Sequence, residues 1–343
     1  MTLPKVDQAA DISGKKVFVR GDIDVPLVDG KVSDDTRLRD IWPTVEFLLE
    51  QKCQIVLGGH VGRPEGEFMA ELSSRLIAQY LANLTNSANL EEQDLGFIKG
   101  FKVNDQLTVL ENLRFYPGEE ANDPEFAKVL ASTSEIYVNE AFAVDEREHA
   151  STVGVPKLLP HFAGFRLCDE MAVLSKVLDN ATKPLVVIIG GAKLETKIPL
   201  ISTMEQVADY VIVGGKLLAE IKIGSPIMAM EKVKILRLTD NTKDITLESI
   251  DRYSEILSKA GTIVWNGPMG QVEEYTYQVG TRRVAELVAA SSGYKIVGGG
   301  DTVGILQKLG LTDKFDWVCS GGGSMLKFLA GEKLPGVEAL LAG

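Results

Sequence analysis

The stretch PLVVIIGGAKLETK, residues 184–197, carries the pattern on which the fold turns. Leu185–Ile189 is a continuous apolar, β-branched run of strand length, the composition of a strand covered on both faces. It runs directly into Gly190-Gly191, where backbone N–H groups can approach an anion closely and a following helix would add its positive end. Working outward, similar short runs recur at Lys16–Val19, Gln54–Leu57, Leu107–Leu110, Glu135–Asn139, Tyr210–Val213, Thr262–Trp265, Lys295–Val297 and Trp317–Cys319. Helical periodicity fills intervals such as Thr36–Glu50, Leu72–Leu84, Pro124–Ser132 and Gln278–Ala290. Strand alternating with helix predicts an α/β fold of parallel sheets covered on both faces.

The glycine punctuation repeats too, at Gly58-Gly59, Gly214-Gly215, Gly267, Gly298 to Gly300 and Gly321 to Gly323. Any one of these could serve only a tight turn. Their concentration within Gly190–Gly323 reads as a nucleotide crevice at the carboxyl ends of a parallel sheet. None matches a Walker A loop or a GxGxxG fingerprint.

At 343 residues the chain exceeds what one core usually organises. Two domains are expected, joined near Phe165–Asn180, where a helical segment at Glu170–Leu178 leads into the second strand series. Hydrophobic residues make up 45% of the chain, without an apolar run long enough to span a bilayer or a charged-then-apolar leader, which predicts a soluble, cytoplasmic protein. Cys53, Cys168 and Cys319 form no CxxC or Cys/His cluster and read as reduced core thiols.

A net charge of −12 argues against nucleic acid and anionic membranes as partners. An anionic small substrate would need a local basic patch, and the first half supplies one: Arg37, Arg63, Arg114 and Arg147, with His60 and His149, follow strand ends beside Asp22 and Asp24. Planar guanidinium groups engage carboxylate and phosphate bidentately. A single arginine is usually just a surface residue, and His60 is as readily a satisfied polar group at a strand end as a ligand. In the second half, Lys193 and Lys197 would share one face if a helix starts there, and both could then reach a polyphosphate. Asp301, after three glycines, has the placement of a carboxylate that meets Mg2+ or of a helix N-cap; Glu273 suits ribose hydroxyls. No GxSxG, HExxH or paired catalytic cysteine occurs, and phosphoryl transfer needs none, being served by alignment and positive charge.

In order and wording these motifs resemble the phosphoglycerate kinase family from end to end. The resemblance rests on Arg20-Gly-Asp-Ile-Asp-Val-Pro-Leu27, Gly59-His-Val-Gly-Arg-Pro64, Leu110-Glu-Asn-Leu-Arg-Phe115, Tyr137-Val-Asn-Glu-Ala-Phe142 and His149-Ala-Ser-Thr-Val-Gly154. It continues through Gly190-Gly-Ala-Lys193 with Lys197, Val264-Trp-Asn-Gly-Pro-Met-Gly270 and Gly298-Gly-Gly-Asp-Thr302. It implies two Rossmann-like parallel-sheet domains joined by a hinge: 1–168 for phosphoglycerate, 169–326 for nucleotide, and 327–343 returning to the first. The implied activity is reversible phosphoryl transfer from 1,3-bisphosphoglycerate to Mg-ADP, giving 3-phosphoglycerate and ATP, by a monomer with Mg2+ as cofactor. By motif position, Asp22, Ile23, Asp24, Arg37, His60, Val61, Gly62, Arg63, Arg114 and Arg147 would hold phosphoglycerate. Gly191, Lys193, Lys197, Asn266, Glu273, Gly299, Gly300, Asp301, Thr302 and Val303 would hold the nucleotide, Asp301 the metal. Arg37 and Lys197 would be the catalytic pair that steadies the moving phosphoryl group. The chain departs from the family pattern at Asp24, usually asparagine; Glu140, usually aspartate; Glu146, usually histidine; Lys216, usually glycine; and in a short Ile221–Thr262 region. Asp24, Lys216 and the short Ile221–Thr262 region suggest a second reading, a catalytically weakened binding or regulatory protein on the same scaffold. Arg37, Lys197 and Asp301 together favour the active one.

Overall fold

The computed structural model describes residues 2–87 and 90–342. Its first half is built on strand β1 (Lys16–Gly21), helix α1 (Thr36–Glu50), β2 (Gln54–Gly58), α2 (Arg75–Leu84), β3 (Glu91–Asp94), β4 (Lys99–Lys102), β5 (Leu107–Leu110), α3 (Pro124–Ala131), β6 (Ile136–Glu140) and β7 (His161–Ala163). The sheet order is β3-β4-β5-β2-β1-β6-β7. β1 lies between β2 and β6, parallel to both, with Arg20 level with Gly58 on one side and Asn139 on the other. Helix α1 buries Leu38, Ile41, Val45 and Leu48, a three-and-four spacing that lays one stripe on the sheet.

The expectation of a wholly parallel sheet fails at one edge, where β3, β4 and β5 pair antiparallel. Only residues 95–98 separate β3 from β4, too few for the crossover that parallel strands require. The charged sequence Glu91-Glu-Gln-Asp94 also makes β3 a poor template for further strand pairing.

Helix α4 (Phe165–Asn180) follows, and then β8 (Leu185–Ile189), α5 (Ile198–Val207), β9 (Tyr210–Val213), β10 (Val233–Ile235), β11 (Thr262–Asn266), α6 (Val279–Ala290), β12 (Tyr294–Gly298), α7 (Gly300–Leu309), β13 (Trp317–Val318) and α8 (Gly322–Leu329). The second sheet runs β10-β9-β8-β11-β12-β13, parallel throughout. All of β8 and β11 is buried, as the apolar runs require. The last helix is α9 (Pro335–Leu341).

The chain divides into two compact units, one running to Met171 and resuming at Lys333, the other Ala172–Glu332. The sequence placed these divisions at 168/169 and 326/327. The later return has a local cause: Ala330 O accepts from Thr203 Oγ1 of α5 at 2.9 Å, which keeps the end of α8 in the second unit. Past it, Gly336 N donates to Asp145 O at 3.0 Å and ties α9 into the first. Gly343, the end of the returning segment, lies outside the described residues.

Candidate functional site

In the first unit the aligned register of β2, β1 and β6 brings their following residues out at one edge. Asp22 and Asp24 follow β1, His60 to Arg63 follow β2, Arg114 lies in a single turn after β5, and Arg147 follows β6. Direct contacts join most of them. Arg37, in the first turn of α1, donates from Nη1 to Asp22 Oδ1 at 2.9 Å and stands 3.9 Å from Asp24 Oδ2. Gly62 N donates to Asp24 Oδ1 at 2.8 Å, and His60 Nε2 lies 3.5 Å from Asp24 Oδ2. Arg114 donates from Nη1 to Gly62 O at 2.8 Å; its Nε is 3.1 Å from Glu120 Oε1, close enough for an ion pair but without hydrogen-bond alignment. Arg147 lies 3.9 Å from Glu146, and Arg63 is exposed. Ile23 and Val61 point into the core, so only their main chains could face a ligand. Val61 O is taken by Asn112 Nδ2 at 2.7 Å.

Burial and charge set the protonation states here. Burial raises the Asp22 carboxyl against the pull of Arg37, and among the described residues Asp22 Oδ2 has no hydrogen-bond partner. Burial would raise Asp24 too, but His60, the Gly62 N–H and Arg37 outweigh it and hold Asp24 well below the usual carboxylate range. Burial pushes His60 down to about 4 and His149 down to about 3, so both rings are neutral at pH 7. Arg37 is raised, chiefly by Asp22, and keeps its charge.

Behind this edge lie residues that sequence reading did not single out. Arg20 is fully buried, as are Glu119 and Ser151. A signal existed in Val17-Phe-Val-Arg20, where a charged residue closes an apolar strand and must find polar partners inside. Glu140 is buried as well and caps the start of α4, accepting from Arg166 N at 3.0 Å, Leu167 N at 3.1 Å and the Thr44 hydroxyl. Burial lifts its carboxyl to about 7.

In the second unit, strand register pairs Ile189 with Val213 and with Asn266, and Asn266 with Gly298, so the glycine turns meet at one edge. Gly267 has φ +91°, and a Cβ there would fall 2.4 Å from Gly190 O; the two turns interlock backbone to backbone. Gly299, at φ +100°, is the N-cap of α7, whose first-turn amides open beside exposed Asp301 and buried Thr302, with Gly300 and Val303 in the same turn. Among the described residues the Thr302 hydroxyl has no hydrogen-bond partner.

A helix starting directly after Gly191 does not form. Gly191 takes φ +106°, residues 191–194 are irregular, 195–197 form a turn, and α5 begins at Ile198. Lys193 is therefore exposed ahead of the turn, whereas Lys197 is the N-cap of α5. Lys197 Nζ lies 3.5 Å from Asn266 Oδ1, and burial lowers it to about 8. Asn266 itself is packed against Gly322 O at 3.5 Å and Met325 Sδ at 3.8 Å. Glu273 is exposed in the segment after β11, and among the described residues no hydrogen bond ties it to the glycine edge.

Parallel strands ending in arginines in one unit, and in glycine turns with a partly desolvated lysine in the other, define a two-unit α/β phosphotransferase. The chain belongs to the phosphoglycerate kinase family, whose model matches residues 6–225 and 219–332. The break between these two matches falls at the start of the short Ile221–Thr262 region. Phosphoglycerate kinase from Coxiella burnetii is 32% identical, with 99% of each chain covered and a TM-score of 0.84. Phosphoglycerate kinase from Pyrococcus horikoshii OT3 is 25% identical, with 99% of this chain and 98% of that chain covered and a TM-score of 0.82. The chain is an enzyme of that type, and no observation favours the weakened scaffold.

Proposed function

We propose that the first unit binds 3-phosphoglycerate or 1,3-bisphosphoglycerate, the second binds ADP or ATP, and a phosphoryl group passes reversibly between them. The observation that carries the nucleotide half is Lys197: a half-buried ammonium at the glycine edge whose nearest polar partner is an amide oxygen, not a carboxylate. Burial without a counter-ion suits a site completed by an anion. In the first unit, Arg37, Arg63, Arg114 and Arg147 supply charge for the carboxyl and phosphate ends. The substrate's hydroxyl is its one donor besides protonated acid groups, and Asp22 Oδ2 is a buried acceptor without a partner.

Toward ATP, the ADP β-phosphate oxygen would attack the phosphorus of the acyl phosphate while the bond from phosphorus to the carboxyl oxygen breaks. The carboxylate leaves with the electron pair, and no proton need move. Arg37 and Lys197 would steady the equatorial oxygens. Asp301 fits Mg2+, which takes one or two carboxylates and otherwise substrate phosphates and water. When bound, the ion would neutralise nucleotide phosphate charge. Lys193, Gly191, Asn266, Glu273 and the Gly299–Val303 turn would contact the nucleotide. A cytoplasmic monomer is the expected form; the buried free thiols suit a reducing compartment. Among the described residues, no helix is long and apolar enough to cross a membrane.

A coupled assay of Mg-ATP-dependent phosphorylation of 3-phosphoglycerate tests the reading, with Lys197→Ala as control. Turnover abolished in the variant is the expected result. A folded wild-type protein without turnover would refute it.

A further inference from the structure

A chain of polar side chains runs behind the anion-receptive edge of the first unit. Glu119 accepts from Ser151 N at 3.0 Å and from the Ser151 hydroxyl at 2.5 Å. Ser151 Oγ in turn accepts from Arg20 Nε at 2.8 Å, and Arg20 Nη1 donates to Gly21 O at 2.6 Å. These bonds fix the guanidinium plane. Its remaining arm places Nη2 3.2 Å from His60 Nδ1, and the far side of that ring sets Nε2 3.5 Å from Asp24 Oδ2.

A guanidinium offers five N–H donors and accepts nothing. His60 Nδ1 must therefore be the acceptor in this contact, which leaves the ring proton on Nε2. We propose that Arg20 is a positioning residue: by donating to His60 Nδ1 it fixes the Nε2–H tautomer and aims a donor, not a lone pair, at Asp24 and at the phosphoglycerate beside it. Arg20 has 0% exposure and cannot touch a ligand itself, so it acts on binding through the residues it holds, of which His60 faces Asp24. Burial keeps the ring neutral at pH 7, so a single proton is at stake. An anion accepts hydrogen bonds and would be repelled by an imidazole lone pair, so the tautomer decides whether His60 helps or hinders. The ligand half of the inference rests on the function proposed above; the tautomer half does not.

The test begins with the unmodified protein. Long-range 1H–15N correlation on 15N-histidine-labelled protein at pH 7, with His60→Gln to assign the signals, should show the His60 proton on Nε2. A proton on Nδ1, or averaged tautomers, would overturn the proposal whatever any variant does. In Arg20→Lys, which keeps a positive charge opposite Glu119, the His60 signals should move toward averaged tautomers. The 3-phosphoglycerate Kd, by calorimetry, should then rise about tenfold, the worth of one good hydrogen bond. An unchanged Kd with an altered tautomer would show that Arg20 does not act through His60 on binding. Wild-type protein with the Nε2–H tautomer but no 3-phosphoglycerate binding would instead defeat the substrate reading and leave the tautomer standing.

Discussion

Lys197 offers a quantitative test of the nucleotide site. Its ammonium is lowered from 10.5 to about 8 because burial disfavours the charged form, and among the described residues no carboxylate offsets that cost. With that value about nine-tenths of the free enzyme carries the charge at pH 7 and about one-tenth at pH 9. If the charge is required to engage nucleotide phosphate, kcat/KM for Mg-ATP should hold level to about pH 7.5 and fall about tenfold per unit above pH 8. The limb belongs to the nucleotide-free enzyme, because kcat/KM for Mg-ATP reports the ionisation of the form that has yet to bind it. Phosphate oxygens beside Lys197 would favour the ammonium, so the limb in kcat should lie at higher pH. The coupled assay at saturating 3-phosphoglycerate, from pH 6.5 to 9.5, measures both. Lys197→Ala should lose turnover by orders of magnitude, while Lys197→Arg, whose charge persists throughout, should show its residual activity without the limb. A flat kcat/KM through pH 8 to 9, or a limb that survives in Lys197→Arg, would refute the assignment.

Three other outcomes follow from the geometry. Asp24→Asn removes a carboxylate from a site meant for anions and should lower the 3-phosphoglycerate Kd about fivefold, on the order of 1 kcal/mol; an unchanged Kd would show the carboxylate to be neutral toward binding. Gly267→Ala forces a Cβ to 2.4 Å from Gly190 O at φ +91° and should destabilise the second unit by roughly 3 kcal/mol in urea unfolding, against an unshifted midpoint if the interlock can relax. Glu140 has a folded-state pKa of about 7 raised from 4.5, so its contribution is fully present below pH 4.5 and is lost as pH rises through 7, about 3 kcal/mol in all. Glu140→Gln should remove that share of the fall in stability between pH 5 and 8, and a variant with the wild-type pH dependence would contradict it.

What could be read from the chain alone divides along physical lines. Buried parallel strands need apolar residues on both faces, so runs such as Leu185–Ile189 and Thr262–Asn266 announce themselves without knowledge of their neighbours. The two-residue spacing of Asp22 and Asp24, and Arg37 one residue into a helix, were equally visible. The antiparallel edge was not, since Glu91–Asp94 has the composition of a loop and becomes a strand only because Lys99–Lys102 returns beside it. The condition for Lys193 and Lys197 to share a helix face was not met, because Gly191 adopts a backbone no spacing rule encodes and α5 begins only at Ile198. Arg20 stood in a quoted motif without a role for a related reason: an arginine is expected at the surface, and its burial depends on Ser151 and His60, distant in sequence.

On the proposed function the two units meet the same problem, holding anions on a chain with a net charge of −12, by different means. The first concentrates guanidinium groups and offsets them with carboxylates, so that Arg37 is held by Asp22, and Arg20 is buried beside Glu119 and Ser151. Such a site is rigid before ligand arrives, because each charge is already oriented by a partner. The second relies on main-chain amides at glycine turns and helix N-termini, with Lys197 as a half-desolvated charge that lacks a carboxylate of its own. That arrangement offers little field until a phosphate supplies the missing negative charge. Substitutions in the first unit should therefore alter affinity and the orientation of the bound acid together. Loss of Lys197 should fall mainly on turnover, since the amides that cradle a nucleotide would remain.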